Sequence, residues 1–228
     1  MTIGVVIAAA GRGTRLGAAG PKPLLVLGGE MLLARSLRLF LGYPEVVSIA
    51  AVVSDPARFG AALGALDPRV RLVADGAERQ DSVRAKLAAL DRTDLILVHD
   101  AARPLADAAL VGRVVEAASR NGAAVPCIPV PDTVKRIGAS GRVKETVPRE
   151  TLRLAQTPQG FRSEVIRRAH DEAARLGTVA TDDAGLVERL GLPVAAVAGS
   201  RFNLKITSPG DLRLAEALLA SPPGEGDA

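Results

Sequence analysis

The sequence predicts an α/β fold, with a Rossmann-like, mainly parallel sheet that carries helices on both faces. Two observations support this prediction. Short apolar runs rich in β-branched residues recur along the chain, as is typical of strands buried on both faces, and helical patterns lie between them. Alternating strands and helices build such a sheet through right-handed crossovers. The apolar runs occupy residues 3–8, 46–53, 70–73, 95–98 and 123–130, with a further strand near 194–197.

Each helical pattern places its apolar side chains on one face. The last helix also has a marked beginning, because Ser208 suits its N-cap, Pro209 suits its first turn, and Asp211 lies near its positive end. Two further helices are predicted at 163–176 and 181–190. The apolar faces of the earlier helices comprise Leu33, Leu37, Phe40 and Leu41; Val83, Leu87 and Leu90; and Leu110, Val114, Val115 and Ala118.

The chain length favours one domain, because 228 residues lie within the usual range of a single core. We expect this domain to cover residues 1–220 and to carry a projecting β-hairpin arm at 132–148, where charged residues flank a glycine-containing turn. The arm has too few apolar residues to be stable alone, so we expect it to pack on a second subunit in a homodimer. The small, polar tail at 221–228 is predicted to be disordered.

Composition excludes several classes of protein. No apolar run reaches the ~18 residues of a membrane span, and the N-terminus lacks the charged leader of a signal peptide, so we expect a soluble, cytoplasmic protein with no membrane partner. The single cysteine, Cys127, excludes a disulfide framework and a multi-cysteine metal site, and we expect it to be a buried, inert thiol. The net charge of +4 is compatible with nucleic acid, but scattered arginines and 2% aromatic residues favour small anionic ligands.

The loop after the first strand concentrates glycine and positive charge. Residues 8–17 read AAAGRGTRLG, and residues 21–23 read PKP. Glycines present bare backbone N–H groups, while Arg15 and Lys22 add positive charge, so the loop suits a triphosphate. It matches neither a dinucleotide fingerprint nor a Walker A loop, because its third glycine comes one residue late and Lys22 lies between two prolines. A solvated surface turn is the alternative that the loop alone leaves open.

Five segments together resemble one family of nucleotidyltransferases. The loop at 8–23 is similar to the signature of enzymes that make activated sugars and polyols, and four further segments narrow the resemblance to the 2-C-methyl-D-erythritol 4-phosphate cytidylyltransferases. The resemblance covers about residues 3–220. It implies the nucleotidyltransferase type of α/β fold, transfer of CMP from CTP to a phosphorylated polyol with release of pyrophosphate, and a place in non-mevalonate isoprenoid synthesis. The four segments are GAERQDSV at 76–83, VHDAARP at 98–104, PDTVK at 131–135 and NLKITSP at 203–209.

The resemblance assigns catalysis to cations. Attack on the α-phosphorus requires the protein to position two anions and to neutralise charge on phosphate oxygens, and an ionised substrate phosphate needs no general base. By resemblance, Arg15 and Lys22 stabilise the α-phosphate and the leaving pyrophosphate. Lys205 and Arg149 orient the incoming polyol phosphate, and Arg149 reaches the active site of the partner subunit. A solvated arginine on the arm is the alternative for Arg149.

The nucleotide-binding residues implied by the resemblance are small and offer mainly backbone groups. They are Ala8, Ala9, Ala10, Gly11, Gly76 and Ser82. Ser82 has an alternative as a polar residue early in a helix. Many family members have a polar or acidic residue where this chain has Ala77, so we expect one side-chain contact to the nucleotide to be missing.

The end of the fourth apolar run carries an acid and a base, Asp100 and Arg103. Ligands of open α/β sheets bind at the carboxyl ends of strands, so we expect both side chains to face the cleft, where the resemblance implies that they bind the polyol substrate. Asp100 suits either polyol hydroxyls or Mg²⁺, and its sequence context leaves both roles open; Mg²⁺ itself is expected to be held largely by the phosphates of CTP. Thr133, Thr157 and Thr181 match family positions near the polyol phosphate and suit turns or caps equally well.

The two histidines are not expected to be catalytic. His99 suits a structural hydrogen bond, since the reaction needs no base there, and His170 carries no functional signal. Three other functions stay open: cytidylyl transfer to a related polyol such as ribitol 5-phosphate, a non-catalytic nucleotide-binding module, and a nucleic-acid binder. The presence of all four predicted catalytic cations disfavours the second, and a steep loss of affinity with salt would distinguish the third.

Overall fold

A sheet of eight strands lies at the centre of the molecule, in the computed structural model that describes residues 1–11, 20–75 and 86–220. Four of its strands, β5, β4, β1 and β6, are parallel neighbours in that order, as the apolar runs predict. The strands of the described residues are β1 (Ile3–Ala9), β2 (Val26–Leu27), β3 (Glu30–Met31), β4 (Val46–Val53), β5 (Val70–Ala74), β6 (Leu95–Asp100), β7 (Ala123–Pro129), β8 (Val134–Ile137), β9 (Val143–Val147), β10 (Arg153–Ala155), β11 (Gln159–Arg162) and β12 (Ala195–Ala198).

Two strands of this sheet were not predicted from the sequence. Strand β11 lies antiparallel between β6 and β7, and β10 pairs antiparallel with the outer part of β7. Strand β12 pairs parallel with β7. The predicted fold class is therefore confirmed as mainly parallel, with antiparallel strands added between residues 153 and 162. A Cβ atom at Gly160 would lie 2.7 Å from Cγ1 of Val114, so β11 packs directly on a helix.

Helices cover both faces of the sheet. The helices with both ends described are α1 (Leu32–Leu41), α2 (Pro56–Leu63), α3 (Ala108–Asn121), α4 (Ser163–Leu176), α5 (Asp183–Arg189) and α6 (Pro209–Ala220), and residues 86–89 are also helical. Side chains alternate along each strand, so Val5 and Ile7 pack against α1, α2 and α3, whereas Val6 packs on the opposite face with α4 and α5. Both faces of the sheet are consequently buried.

Helix α6 begins as predicted. The Ser208 hydroxyl accepts the backbone N–H of Asp211 at 3.3 Å, and the Asp211 carboxylate accepts the N–H of Ser208 at 2.8 Å. This reciprocal pair is a capping box. Burial raises the pKa of Asp211, but hydrogen bonds from Thr207 and Ser208 outweigh it and bring the pKa to about 2. The cap therefore determines that the helix begins directly after the segment 203–208.

Strands β8 and β9 form a separate antiparallel hairpin within the predicted arm. Its side chains are mostly exposed, including those of Ile137 and Val143. Its polar contacts are internal: Arg136 pairs with Glu145, and Lys135 donates to the Thr146 hydroxyl. The role of the arm in a dimer stays a prediction.

Three other expectations have different outcomes. Cys127 is half-buried rather than buried, because it lies towards the end of β7, and burial raises the pKa of its thiol. The predicted disordered tail at 221–228 lies outside the described residues. Among the described residues, no helix is long and apolar enough to cross a membrane.

Candidate active site

A cavity of about 710 Å³ lies at the carboxyl edge of the parallel strands. Strands β1 and β6 run side by side in register there, so Ala8 is the neighbour of Asp100. The backbone N–H of Ala101 donates to the Ala8 carbonyl at 3.1 Å and holds the two strand ends together. Because parallel strands present their ends at one edge, residues 92 positions apart line one cavity, as expected for ligand sites in this class of sheet.

A lysine–aspartate pair lies in this cavity. The Lys205 ammonium is 2.6 Å from the Asp100 carboxylate. Burial raises the pKa of Asp100, but the charge and hydrogen bond of Lys205, with the charges of His99 and Arg103, outweigh it and hold the pKa below its ordinary value. Asp100 is therefore a carboxylate at neutral pH, and Lys205 stands half-exposed at the cavity surface with its charge directed inward.

Arg103 adds a second cation to the same wall. Its guanidinium donates to the backbone oxygen of Asn203 at 2.7 Å and to that of Ala155 at 3.3 Å. Burial lowers the pKa of Arg103, and the carboxylate of Asp100 opposes this effect. An arginine remains protonated under all ordinary conditions. The cavity wall thus combines two cations with one carboxylate.

Thr157 connects this wall to His99. The Thr157 hydroxyl accepts the backbone N–H of Asp100 at 3.0 Å and lies 3.2 Å from Nδ1 of His99. The imidazole is fully buried, with its ring edge-on to Phe40 at 5.2 Å. Burial lowers the pKa of His99 to about 4, so the ring is neutral at pH 7. These contacts agree with the structural role expected for His99.

The rest of the cavity lining includes groups that sequence reasoning missed. Thr181, a predicted site residue, lines the cavity beside Asp182. Gln159 donates to the Asp182 carboxylate at 2.7 Å and accepts the N–H of Ala184 at 3.0 Å. His170 also lines the cavity, with Nε2 2.8 Å from the Asp183 carboxylate. In the sequence, residues 181–183 indicated only the beginning of a helix. Their place in the cavity lining becomes evident only from the tertiary structure.

Lys86 also lines the cavity and belongs to a second lysine–aspartate pair. Lys86 is 8% exposed, and its ammonium lies 3.6 Å from Asp75, the residue after β5. The sequence analysis gave no role to Lys86. The available signal was a lysine within an apolar helical pattern, because a buried lysine requires a partner.

Several predicted site residues are not brought to this cavity within the described part of the chain. Lys22 lies half-buried on the 3₁₀ turn Lys22–Leu24, where its carbonyl accepts the N–H of Leu25. Thr133 is exposed on the arm, and the exposed Arg149 donates to the backbone oxygen of Pro131. None of these three side chains lines the cavity.

The predicted nucleotide-binding segment is only partly described. Ala8 lines the cavity, Ala9 is buried in β1, and Ala10 and Gly11 continue from the strand end. The remaining predicted residues, Arg15, Gly76 and Ser82, together with the unusual Ala77, lie outside the described residues.

A mainly parallel sheet whose carboxyl edge carries a cavity with Lys86, Arg103 and Lys205 in its lining defines a ligand-binding α/β protein, and these three cations can contact an anionic ligand. The comparisons with known proteins specify it further. The model of the IspD family, 2-C-methyl-D-erythritol 4-phosphate cytidylyltransferase, matches residues 3–221. The chain therefore belongs to this family.

Relatives and solved structures agree with the family match. The chain is 43% identical to the 2-C-methyl-D-erythritol 4-phosphate cytidylyltransferase of Thermus thermophilus, with a TM-score of 0.79, over 96% of this chain and 100% of that one. The Anaerococcus prevotii 4-diphosphocytidyl-2C-methyl-D-erythritol synthase is 29% identical, with a TM-score of 0.83, over 96% of each chain.

A longer relative is the bifunctional enzyme IspD/IspF of Anaeromyxobacter dehalogenans. It is 50% identical over 226 residues, which are 97% of this chain but 58% of the relative. The chain thus spans little more than half the length of the bifunctional relatives that it matches.

Proposed function

We propose that this chain transfers CMP from CTP to the phosphate of 2-C-methyl-D-erythritol 4-phosphate, giving the CDP-linked polyol and pyrophosphate for non-mevalonate isoprenoid synthesis. The observation that carries the proposal is the Lys205–Asp100 pair, 2.6 Å apart, in the cavity at the carboxyl edge of the sheet. Family membership supports the choice of substrates. A cytoplasmic location is part of the proposal.

The chemistry needs cations more than it needs a base. A substrate phosphate oxygen attacks the α-phosphorus of CTP and forms the new P–O bond, while the bond to the bridging oxygen breaks and pyrophosphate leaves with that electron pair. The attacking oxygen is already ionised, so no residue has to remove a proton. A neutral His99 is compatible with this scheme, and the cations Lys205 and Arg103 supply the charge that it requires.

Each cavity group has a role in the proposal. Lys205 and Arg103 bind the incoming phosphate, and the Asp100 carboxylate accepts hydrogen bonds from polyol hydroxyls while it orients Lys205. Arg15 and Lys22 stabilise the α-phosphate and the leaving group. Backbone groups of 8–11, with Gly76 and Ser82, read the cytosine, and Thr157 and Thr181 complete the polyol pocket.

We propose that Mg²⁺ accompanies CTP. The ion prefers hard oxygen ligands and keeps several waters beside substrate phosphates. Asp100 is a suitable oxygen donor at the cavity, whereas the described residues contain no cluster of three or more metal-ligating side chains. This donor set fits an ion held mainly by the triphosphate. When bound, Mg²⁺ neutralises phosphate charge; the positioning of the substrates is the work of the protein.

We also propose that the active unit is a homodimer joined through the arm. Thr133 and Arg149 belong to the arm and its base, are exposed, and do not line the cavity of their own chain. Exposed apolar side chains at Ile137 and Val143 offer a surface for a second copy. In the dimer, Arg149 and Thr133 would serve the polyol phosphate in the partner's cavity.

Pyrophosphate release from the purified protein tests the reaction. The assay contains CTP and Mg²⁺ and compares 2-C-methyl-D-erythritol 4-phosphate with ribitol 5-phosphate, and CTP with the other nucleoside triphosphates. We expect turnover only with CTP and the methylerythritol phosphate. Turnover with ribitol phosphate alone would keep the chemistry and change the substrate, and no turnover with any pair would favour a non-catalytic nucleotide-binding module.

A further inference from the structure

A buried hydrogen-bond network lies directly behind the Lys205–Asp100 pair. Asn203 is 1% exposed, and its side-chain amide donates to the backbone oxygen of Thr157 at 2.9 Å and to the Gln156 side-chain oxygen at 3.4 Å. Two separate segments of chain, 155–157 and 200–205, are therefore joined by Asn203. Neither segment belongs to a helix, so these side-chain hydrogen bonds add to the few backbone bonds that hold them, such as the one from Gln156 to the Pro126 carbonyl at 2.8 Å.

The backbone of Asn203 is held as firmly as its side chain. Its carbonyl accepts from the Arg103 guanidinium at 2.7 Å and from the Gln156 amide at 3.4 Å. Gln156 also bonds Ser200 in both directions, as donor to its carbonyl at 2.8 Å and as acceptor of its N–H at 3.1 Å. A Cβ atom at Gly199 would lie 2.6 Å from the Gln156 oxygen, so the approach requires glycine at that position.

The position of this network determines what it holds. Asn203 precedes Lys205 by two residues, and directly after Lys205 the buried Ile206 donates its backbone N–H to the Ala102 carbonyl at 2.8 Å. Asn203 therefore holds the chain before Lys205, as Ile206 holds it after. On the other side, Thr157 contacts the backbone N–H of Asp100 at 3.0 Å. The network thus connects both partners of the ion pair, and the side chain of Lys205 is 45% exposed.

The network also has a cost in stability. Three buried side-chain polar atoms of the described residues lack a hydrogen-bond partner: Nε2 of His99, Nε of Arg103 and Oδ1 of Asn203. All three belong to this cluster. Buried polar groups without partners destabilise a folded protein, and their concentration beside one cavity is typical of a functional site rather than of a core optimised for packing.

We propose that Asn203 is a positioning residue that acts through Lys205. The inference rests on the proposed function. Asn203 touches neither the ion pair nor the cavity; it holds residues 203–205 against Gln156, Thr157 and Arg103, and in this way sets the ammonium of Lys205 opposite Asp100.

A double-mutant cycle separates this role from a general contribution to folding. The variants are Asn203→Ala, Lys205→Met and the double variant, and kcat and KM are measured for both substrates by pyrophosphate release. We expect Asn203→Ala to lower kcat/KM for the polyol phosphate by about 30-fold, with less than about a threefold change in KM for CTP. In the Lys205→Met background, the same change should lower kcat/KM by less than about threefold, because the ammonium that it positions is gone.

Controls keep the outcomes distinct. Asn121→Ala removes an exposed amide that bonds the Ala117 carbonyl within α3, and it should leave all constants within about twofold. If Asn203→Ala does not fold, Asn203→Ser takes its place, since it keeps a small polar side chain but is too short to make the bonds to Thr157 and Gln156. Equal losses in both backgrounds, or no loss from either variant, would overturn the proposal. Absence of turnover by the unmodified protein would instead overturn the proposed function.

Discussion

The cavity wall and the arm both carry residues predicted to bind the polyol phosphate, yet they are built in opposite ways. Behind the wall, Asn203 is 1% exposed and its hydrogen bonds reach residues 46 and 47 positions away. In the arm, Val143 is 59% exposed and the polar contacts of the hairpin stay within it. The wall positions its cations inside one chain, whereas the arm has no such support in its own chain and therefore fits a role that a second copy completes.

The difference has an energetic basis. Burying a charge costs several kcal/mol for each ion unless a partner compensates it. Asp100 is accordingly paired with the ammonium of Lys205, and Arg103 donates to two backbone oxygens. Exposed ion pairs contribute about 0–1 kcal/mol, so the Arg136–Glu145 pair of the arm fixes little. Removing a wall residue should consequently affect catalysis within the subunit, and removing an arm residue should affect it across subunits.

The largest effect is expected from Lys205→Met, which keeps the length of the side chain and removes its charge. We expect kcat/KM to fall about 10³-fold, the scale of a lost group that stabilises charge in the transition state. Pyrophosphate release measures it. Arg71→Met is the matched control, because Arg71 forms a surface ion pair with Asp91 away from the cavity and should keep full activity. A loss below about tenfold would remove Lys205 from the catalytic set.

Mixed subunits test the arm. Arg149→Ala and Lys22→Ala are each expected to inactivate their homodimers, but a heterodimer would contain one site with both defects and one intact site. Equal mixing after unfolding and refolding should therefore restore about a quarter of the normal activity, since half of the dimers would be mixed. Pyrophosphate release before and after mixing provides the measurement. If mixing restores nothing, Arg149 acts within its own chain or not at all.

The buried His99 gives the wall a pH dependence. Its pKa of about 4 lies below the ordinary value of 6.5, so the unfolded chain binds this proton more readily than the folded chain. The stabilisation is complete above about pH 6.5 and is lost as the pH falls towards 4, by about 1 kcal/mol per pH unit. Urea unfolding at several pH values should show this slope in the unmodified protein and a shallower one in His99→Asn. Equal slopes would contradict the prediction.

The smallest effect on the folded monomer is expected in the arm. Ile137→Asp should change the free energy of unfolding of the monomer by less than about 0.5 kcal/mol, because the side chain is 54% exposed. The same change should dissociate the dimer, as measured by sedimentation velocity. Leu214→Asp is the matched control, since Leu214 on α6 is also 54% exposed but lies outside the arm. Dissociation by both variants, or by neither, would argue against the arm as the interface.

Much of the fold was predictable because its signals are local. The run at 46–53 and the helix at 163–176 have the predicted bounds, and Ser208 and Asp211 form the predicted cap. Strands β10 and β11 were missed for a physical reason. Each is three or four residues long, and neither shows alternation; only pairing with β7, and for β11 also with β6, makes them strands.

The candidate site divides in the same way. The strand-end rule was enough to predict that Asp100 and Arg103 line a ligand cavity, and the resemblance supplied Lys205. Sequence reasoning gave no role to Gln156 or Asn203, because an amide within an irregular segment has no pattern of its own. It also left unused the signal that Lys86 carried, a lysine within an apolar helical pattern.

The sequence by itself determined the alternation of strands and helices, the cap of the last helix, and the strand end that carries Asp100, because periodicity and capping act over a few residues. Only the tertiary structure decided that Lys205 meets Asp100, that Asn203 connects it to Thr157, and that Arg149 stands apart from the cavity. The ion pair and these hydrogen bonds join residues 46 to 105 positions apart, and they form only after the packing of the sheet has brought those segments together.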